Sequence, residues 1–107
     1  MTTRALITAP ATAKAGEIIT LKAMLAHVME TGYRRDISGA PIPRDILHAF
    51  VCVYDGEEIF RADFFPAIAA NPYLSFTTTA TKSGAITFAW TGDDGQTYRE
   101  SVNITVT

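Results

Sequence analysis

The chain has one cysteine, Cys52, in 107 residues. A lone thiol excludes an internal disulfide, and it excludes a tetrahedral zinc site built on several thiolates. No apolar run approaches the roughly 20 residues that span a bilayer as a helix. The opening stretch MTTRALITAPATAKAG is broken by Thr, Pro and Lys, so it lacks the continuous apolar segment of a signal peptide. A large excess of one charge is also missing: nine basic and eleven acidic residues leave a formal charge of −2. Binding to nucleic acid or to an anionic membrane needs an excess of Lys and Arg, so neither partner is expected. There is no Gly-x-Ser-x-Gly elbow and no phosphate-cradling Gly-x-x-x-x-Gly-Lys-Ser/Thr. Internal repeats, low-complexity tracts and long amphipathic helical patterns are absent too.

What remains is apolar and alternating. Hydrophobic residues make up 48% of the chain, enough for a folded core. In EIITLKAMLA, Ile19, Leu21, Ala23 and Leu25 fall on one face and Thr20, Lys22 and Met24 on the other. That period of two predicts a half-buried strand. RALIT at 4–8 reads as a shorter strand before it. AFVCVY, the turn signal Asp55-Gly56 and EEIFRADF read as a hairpin. YLSFTTTA follows, with Leu74, Phe76, Thr78 and Ala80 aligned, then AITFAWT with Ile86, Phe88 and Trp90 aligned. After Gly92-Asp93-Asp94-Gly95, the run QTYRESVNITVT places Val102, Ile104 and Val106 on one face. Seven strand-like runs at regular spacing predict a single all-β domain over residues 1–107, an immunoglobulin-like (fibronectin III-like) sandwich of two antiparallel sheets.

Two segments break the pattern. From His27 to about Asp45 the alternation stops, and loops of that length are usually functional or disordered. Gly32, Gly39, Pro41 and Pro43 constrain its backbone, which predicts an ordered loop. Its core, HVMETGYRRD, gathers Met29, Glu30, Tyr33, Arg34 and Arg35. Such residues form either a solvated loop with weak ion pairs or a partner-binding loop, since Arg, Tyr and Met are enriched where proteins meet. The residues alone leave both open. The second segment, FFPAIAANP at 64–72, is almost wholly apolar and carries Phe64, Phe65 and Ile68. It packs under a sandwich edge or forms an apolar patch for a partner.

Candidate chemistry is sparse. His27, His48 and Cys52 with nearby methionines raise a copper site, which needs two imidazoles, a thiolate and a thioether converging. No histidine follows Cys52, however. His48 and Cys52, four apart, would share a strand face yet lie about 13 Å apart at roughly 3.3 Å per residue. No metal or other cofactor is expected. Cys52, between Val51 and Val53, reads as a small buried hydrophobe rather than a reactive thiol. No nucleophile, base and oxyanion donor are brought together, so the chain is not expected to be an enzyme.

The irregular segments carry a resemblance. His27, Met29-Glu30-Thr31-Gly32, Arg34, Asp36, Gly39 and Ile42-Pro43-Arg44 resemble the SoxZ family. The likeness continues through Tyr54–Asp63, Ala67–Phe76, Trp90 and Asp93-Asp94-Gly95; Val28, where the family usually has proline, departs from it. The resemblance implies a non-catalytic scaffold subunit. It would form a heterodimer with a SoxY-like carrier, whose cysteine bears the sulfur intermediates of thiosulfate oxidation, and would help present that sulfur to other Sox enzymes visiting transiently. This chain ends in SVNITVT without a glycine-flanked cysteine, so it is not expected to be the sulfur-bearing subunit. The resemblance also implies the periplasm, reached by co-export with a signal-bearing partner. Partner contacts are expected from Met29, Glu30, Tyr33, Arg34 and Arg35 in the loop, and from Phe64, Phe65 and Ile68 in the apolar segment. A stand-alone interaction or adhesion module, acting alone or as a homodimer, is the competing reading.

Overall fold

Alternation decides the fold, because a strand with one apolar face must bury it against a second layer. The computed structural model describes residues 5–66, 68 and 70–107. Eight strands are present: β1 (Ala5–Thr8), β2 (Thr12–Ala13), β3 (Ile18–Leu25), β4 (Leu47–Tyr54), β5 (Glu57–Asp63), β6 (Tyr73–Thr79), β7 (Gly84–Gly92) and β8 (Thr97–Val106). They form a three-stranded sheet, β1-β3-β6, and a five-stranded sheet, β2-β8-β7-β4-β5. Every pairing is antiparallel except the short parallel β2–β8 contact. The chain is an all-β, immunoglobulin-like sandwich, as expected. Seven of its strands match the seven sequence runs. The eighth, β2, is two residues long and too short to show alternation.

The predicted faces are the buried ones. Ile19, Leu21, Ala23 and Leu25 of β3 are buried, opposite Ile86, Phe88 and Trp90 of β7. Phe50 sits at the centre of an aromatic cluster. Its ring lies 5.2 Å from Trp90, 6.3 Å from Phe88 and 6.1 Å from Phe60 in its own sheet. It also lies 6.0 Å from Phe76, which comes from the facing sheet. Phe60 and Phe76 stack at 4.3 Å. These contacts join the two sheets without a disulfide.

Two irregularities matter for the site. The Asp55-Gly56 turn has positive φ at both residues, 49° and 83°, as a tight two-residue hairpin requires. Between Leu47 and Ala49 the β4–β7 register slips, so His48 is an extra residue on β4. A bulge of this kind bends the strand and re-aims side chains. Leu47 and Phe50 therefore both point inward while His48 is exposed. The expectation that His48 and Cys52 share a face is corrected by this bulge: Cys52 is fully buried and His48 faces solvent.

Candidate functional site at the loop end of the sandwich

Connections β3–β4 and β5–β6 both lie at one end of the sandwich, where Tyr73 pairs with Met24 and Ala49 with Asp63. The 27–45 loop is ordered and folds as an irregular hairpin. Glu30 and Asp45 exchange two backbone hydrogen bonds, 2.9 and 2.8 Å long. Further out, Ile42 N–H donates to the Arg34 carbonyl at 3.0 Å, and Asp36 N–H to the Ala40 carbonyl at 2.9 Å. Asp36 caps the tip by accepting from Ser38 N–H, Ser38 Oγ–H and Ala40 N–H at 2.9, 2.6 and 3.0 Å. Those bonds, Ser38's hydroxyl first, hold its carboxyl below the usual aspartate value. Gly32, at φ +86°, crosses Arg44 so closely that a Cβ there would lie 3.0 Å from the Arg44 Cβ. Only glycine meets both conditions without strain.

The charges of this loop mostly satisfy one another. Arg34 forks onto the Glu30 carboxylate, with Nε at 3.1 and 3.2 Å from its two oxygens and Nη2 also in contact. This pairing lowers the Glu30 pKa and raises that of Arg34. Arg35 Nη1 donates to the Gly39 carbonyl at 3.0 Å. The pairs are exposed, so their role is to shape the loop more than to stabilise the fold. Tyr33 stands 82% exposed beyond them.

Asp93, in the β7–β8 turn, fastens the loop's return to β4. Arg44 donates to both its oxygens, Nε at 2.8 Å and Nη2 at 2.9 Å. Ile46 N–H adds a third bond at 3.2 Å, and His48 Nδ1 lies 3.4 Å away. Partial burial alone would raise the Asp93 pKa. The Arg44 and Ile46 hydrogen bonds, with the charges of Arg44 and His48, outweigh it and leave the pKa lowered. A carboxyl depressed on folding stabilises the fold above its unfolded value and loses that contribution as pH falls through the folded one. Asp93 should therefore contribute fully at neutral pH, and its contribution should disappear as acid is added below its ordinary 3.8. Urea melts from pH 7 to pH 2 check this: Asp93→Asn should be less stable than wild type at pH 7, and the difference should shrink toward zero in acid. A difference that does not depend on pH would count against the linkage.

His27 ties the two connections together. Its N–H donates to Asn71 Oδ1 at 2.9 Å, and Asn71 N–H donates back to the His27 carbonyl at 2.7 Å. Its Nδ1 accepts from Met29 N–H at 2.9 Å. Met29, at φ +54°, turns inward and is 4% exposed, with Sδ accepting Leu47 N–H at 3.3 Å. Met29, expected among the partner contacts, is a core plug in the chain by itself. Phe64, expected likewise, is also buried. It is 6% exposed, and its N–H is bonded to the His48 carbonyl at 2.9 Å, so it continues the β5 edge into the core. Phe65 and Ile68 are exposed, as are Val28, Tyr33, Ile37 and Tyr73 at the same end. Within the 64–72 segment Phe64 and Pro72 pack inward, while Phe65 and Ile68 face out. Residues 67 and 69 lie outside the described residues. Val28 and Tyr73 were missed as exposed apolar groups by sequence reasoning: Val28 lies in the loop, outside any alternating run, and Tyr73 opens the alternating run of β6.

Among the described residues no group of three or more His, Cys, Asp or Glu side chains is placed to hold a metal ion. Burial pushes the Cys52 thiol from 9.0 up to about 12. Its thiolate fraction at neutral pH should fall about a thousandfold, since each unit is a factor of ten. Native labelling with a disulfide reagent at pH 8 should be correspondingly slow and should become rapid in denaturant. Prompt native labelling would contradict the burial.

The family profile described as sulphur oxidation protein SoxZ matches residues 7–103. The chain belongs to the SoxZ family. No curated protein sequence matches it. Among solved structures, a superoxide reductase (neelaredoxin) from Ignicoccus hospitalis superposes with TM-score 0.76 at 18% identity, over 96% of this chain and 80% of that one. A putative superoxide reductase from Thermotoga maritima gives 0.74 at 17% identity, over 96% and 85%. The sulfur carrier protein SoxY from Chlorobium limicola f thiosulfatophilum gives 0.68 at 15% identity, over 96% and 78%. Likenesses this distant show the shared sandwich and carry no activity across. Membership in the SoxZ family places the chain in the Sox sulfur-oxidation system.

Proposed function

We propose that this SoxZ-family chain is a non-catalytic subunit that binds a SoxY-like carrier as a heterodimer and helps present its cysteine-bound sulfur to the enzymes of thiosulfate oxidation. The observation that carries the reading is the loop end of the sandwich. There Val28 and Phe65, on loops that hydrogen bonds hold in place, and Tyr73, at the start of β6, are 75%, 65% and 57% exposed. Ordered, exposed apolar side chains beside polar loop groups match a stable protein interface, whose centre is apolar and whose rim is polar. Glu30, Tyr33, Arg34 and Arg35 supply the rim. A rigid base suits a carrier whose own substrate arm must move between active sites. The deeply buried Cys52 does not compete for the sulfur. The complex would act in the periplasm, exported together with a signal-bearing partner, and other Sox enzymes would dock on it transiently.

Co-production with a SoxY-family subunit, tagged on that subunit alone, tests this. The two chains should co-elute at one-to-one stoichiometry and survive gel filtration. Separate elution at micromolar concentration, or sulfur loading of this chain by itself on Cys52, would overturn the reading.

A further inference from the structure

On the flank opposite the 64–72 segment, the sandwich is open. β8 pairs with β7 along its whole inner side, from Thr97 to Ile104. On its outer side β2 covers only Thr105 and Val106. An antiparallel strand sends alternate N–H and C=O groups to each side, so the outer side of Thr97–Asn103 presents an unpaired backbone edge among the described residues. The facing sheet ends on this flank in β1, itself paired only with β3. Between β1 and β8 lies a cavity of about 280 Å³, lined by Ala5, Leu25, Trp90, Thr97, Tyr98, Arg99 and Glu100. Trp90 is fully buried, yet its Nε1–H has no acceptor among the described residues. A buried donor left unpaired is costly and rare in native folds.

One kind of occupant answers all three features. A strand added to the β8 edge pairs the unpaired backbone groups, and its alternate side chains point into the gap between the sheets. An inward side chain with a hydroxyl or amide oxygen can then accept from Trp90 Nε1. Arg99 and Glu100 both line the cavity, so the lining has no net charge to draw a charged side chain there, and a neutral acceptor suffices for the indole. We propose that an extended segment of the partner subunit adds to β8 at Thr97–Asn103 and seats a Ser, Thr, Asn or Gln side chain against the Trp90 indole. This rests on the heterodimer reading above and extends it to a second contact at the same end of the sandwich, beginning where Leu25 leads into the 27–45 loop.

The test uses the complex purified with its SoxY-family subunit, with this chain labelled with nitrogen-15. Trp90 is the only tryptophan, so its indole signal is unambiguous. On complex formation alternate amides of Thr97–Asn103 should exchange about tenfold or more slowly, as newly paired strand groups do. The indole proton should move downfield. Trp90→Phe keeps an aromatic ring and removes the donor, so partner affinity should fall about five- to tenfold, the loss expected for one hydrogen bond. The wild-type exchange measurement stands even if that variant folds poorly. A stable complex with unchanged β8 exchange and an unmoved indole signal would overturn this inference and leave the heterodimer intact. Failure to form any complex would overturn both.

Discussion

Phe50→Ala is expected to remove about 3–5 kcal/mol of stability and to lower Tm by more than about 12 °C. Phe50 is fully buried on β4, an interior strand of its sheet between β7 and β5. Its ring touches four aromatic neighbours, one of them across the sheet gap. Truncation leaves a void bounded by rigid rings that cannot collapse inward, and the lost transfer free energy adds to the cavity term. With no disulfide present, apolar packing joins the two sheets, and this cluster is part of it. Urea unfolding followed by Trp90 fluorescence measures the change. Phe65→Ala, at a residue 65% exposed, is the matched control and should shift stability by less than about 0.5 kcal/mol. Equal losses at both positions would mean that the core does not centre on Phe50.

That pair of phenylalanines shows where sequence reading stops. Along β3 and β7 each inward residue is announced by its neighbours, because a period of two repeats three or four times. Ile19 through Leu25 and Ile86 through Trp90 were legible for that reason. The Asp55-Gly56 turn was legible because its backbone needs residues that tolerate positive φ. At 64 and 65 the strand is ending and no period remains, so two adjacent phenylalanines read alike although one is 6% and the other 65% exposed. Met29 was unreadable for a related cause. Its burial depends on one left-handed residue and on a contact with Leu47, 18 positions away. The His48 bulge is an insertion into a ladder, and a ladder exists only once partners are known. Asp93 is read along the chain only as part of a turn; its role appears only when Arg44 is brought across to it. The orderliness of the 27–45 loop was readable from its glycines and prolines. The way its charges cancel internally was not.

That cancellation bears on which substitution should break the proposed heterodimer. Phe65→Glu with Ile68→Glu is expected to weaken partner binding at least about a hundredfold, with little change in the fold. Both side chains are exposed in the free chain, so placing carboxylates there costs little when unbound. In a complex they would be buried, and central apolar positions commonly contribute about 2 kcal/mol or more each, less than additively. A carboxylate buried unpaired in such a place adds a desolvation penalty. Arg34→Ala should act more weakly on binding, because its guanidinium is already committed to Glu30 and a rim charge mainly alters the rate of encounter. Titration calorimetry of the purified subunits separates the two cases. If the charge substitution proves the stronger, the interface is electrostatic and lies on the outer loop. If the double glutamate variant binds like wild type, the apolar segment faces solvent in the complex as well, and the contact must be sought on the β8 flank.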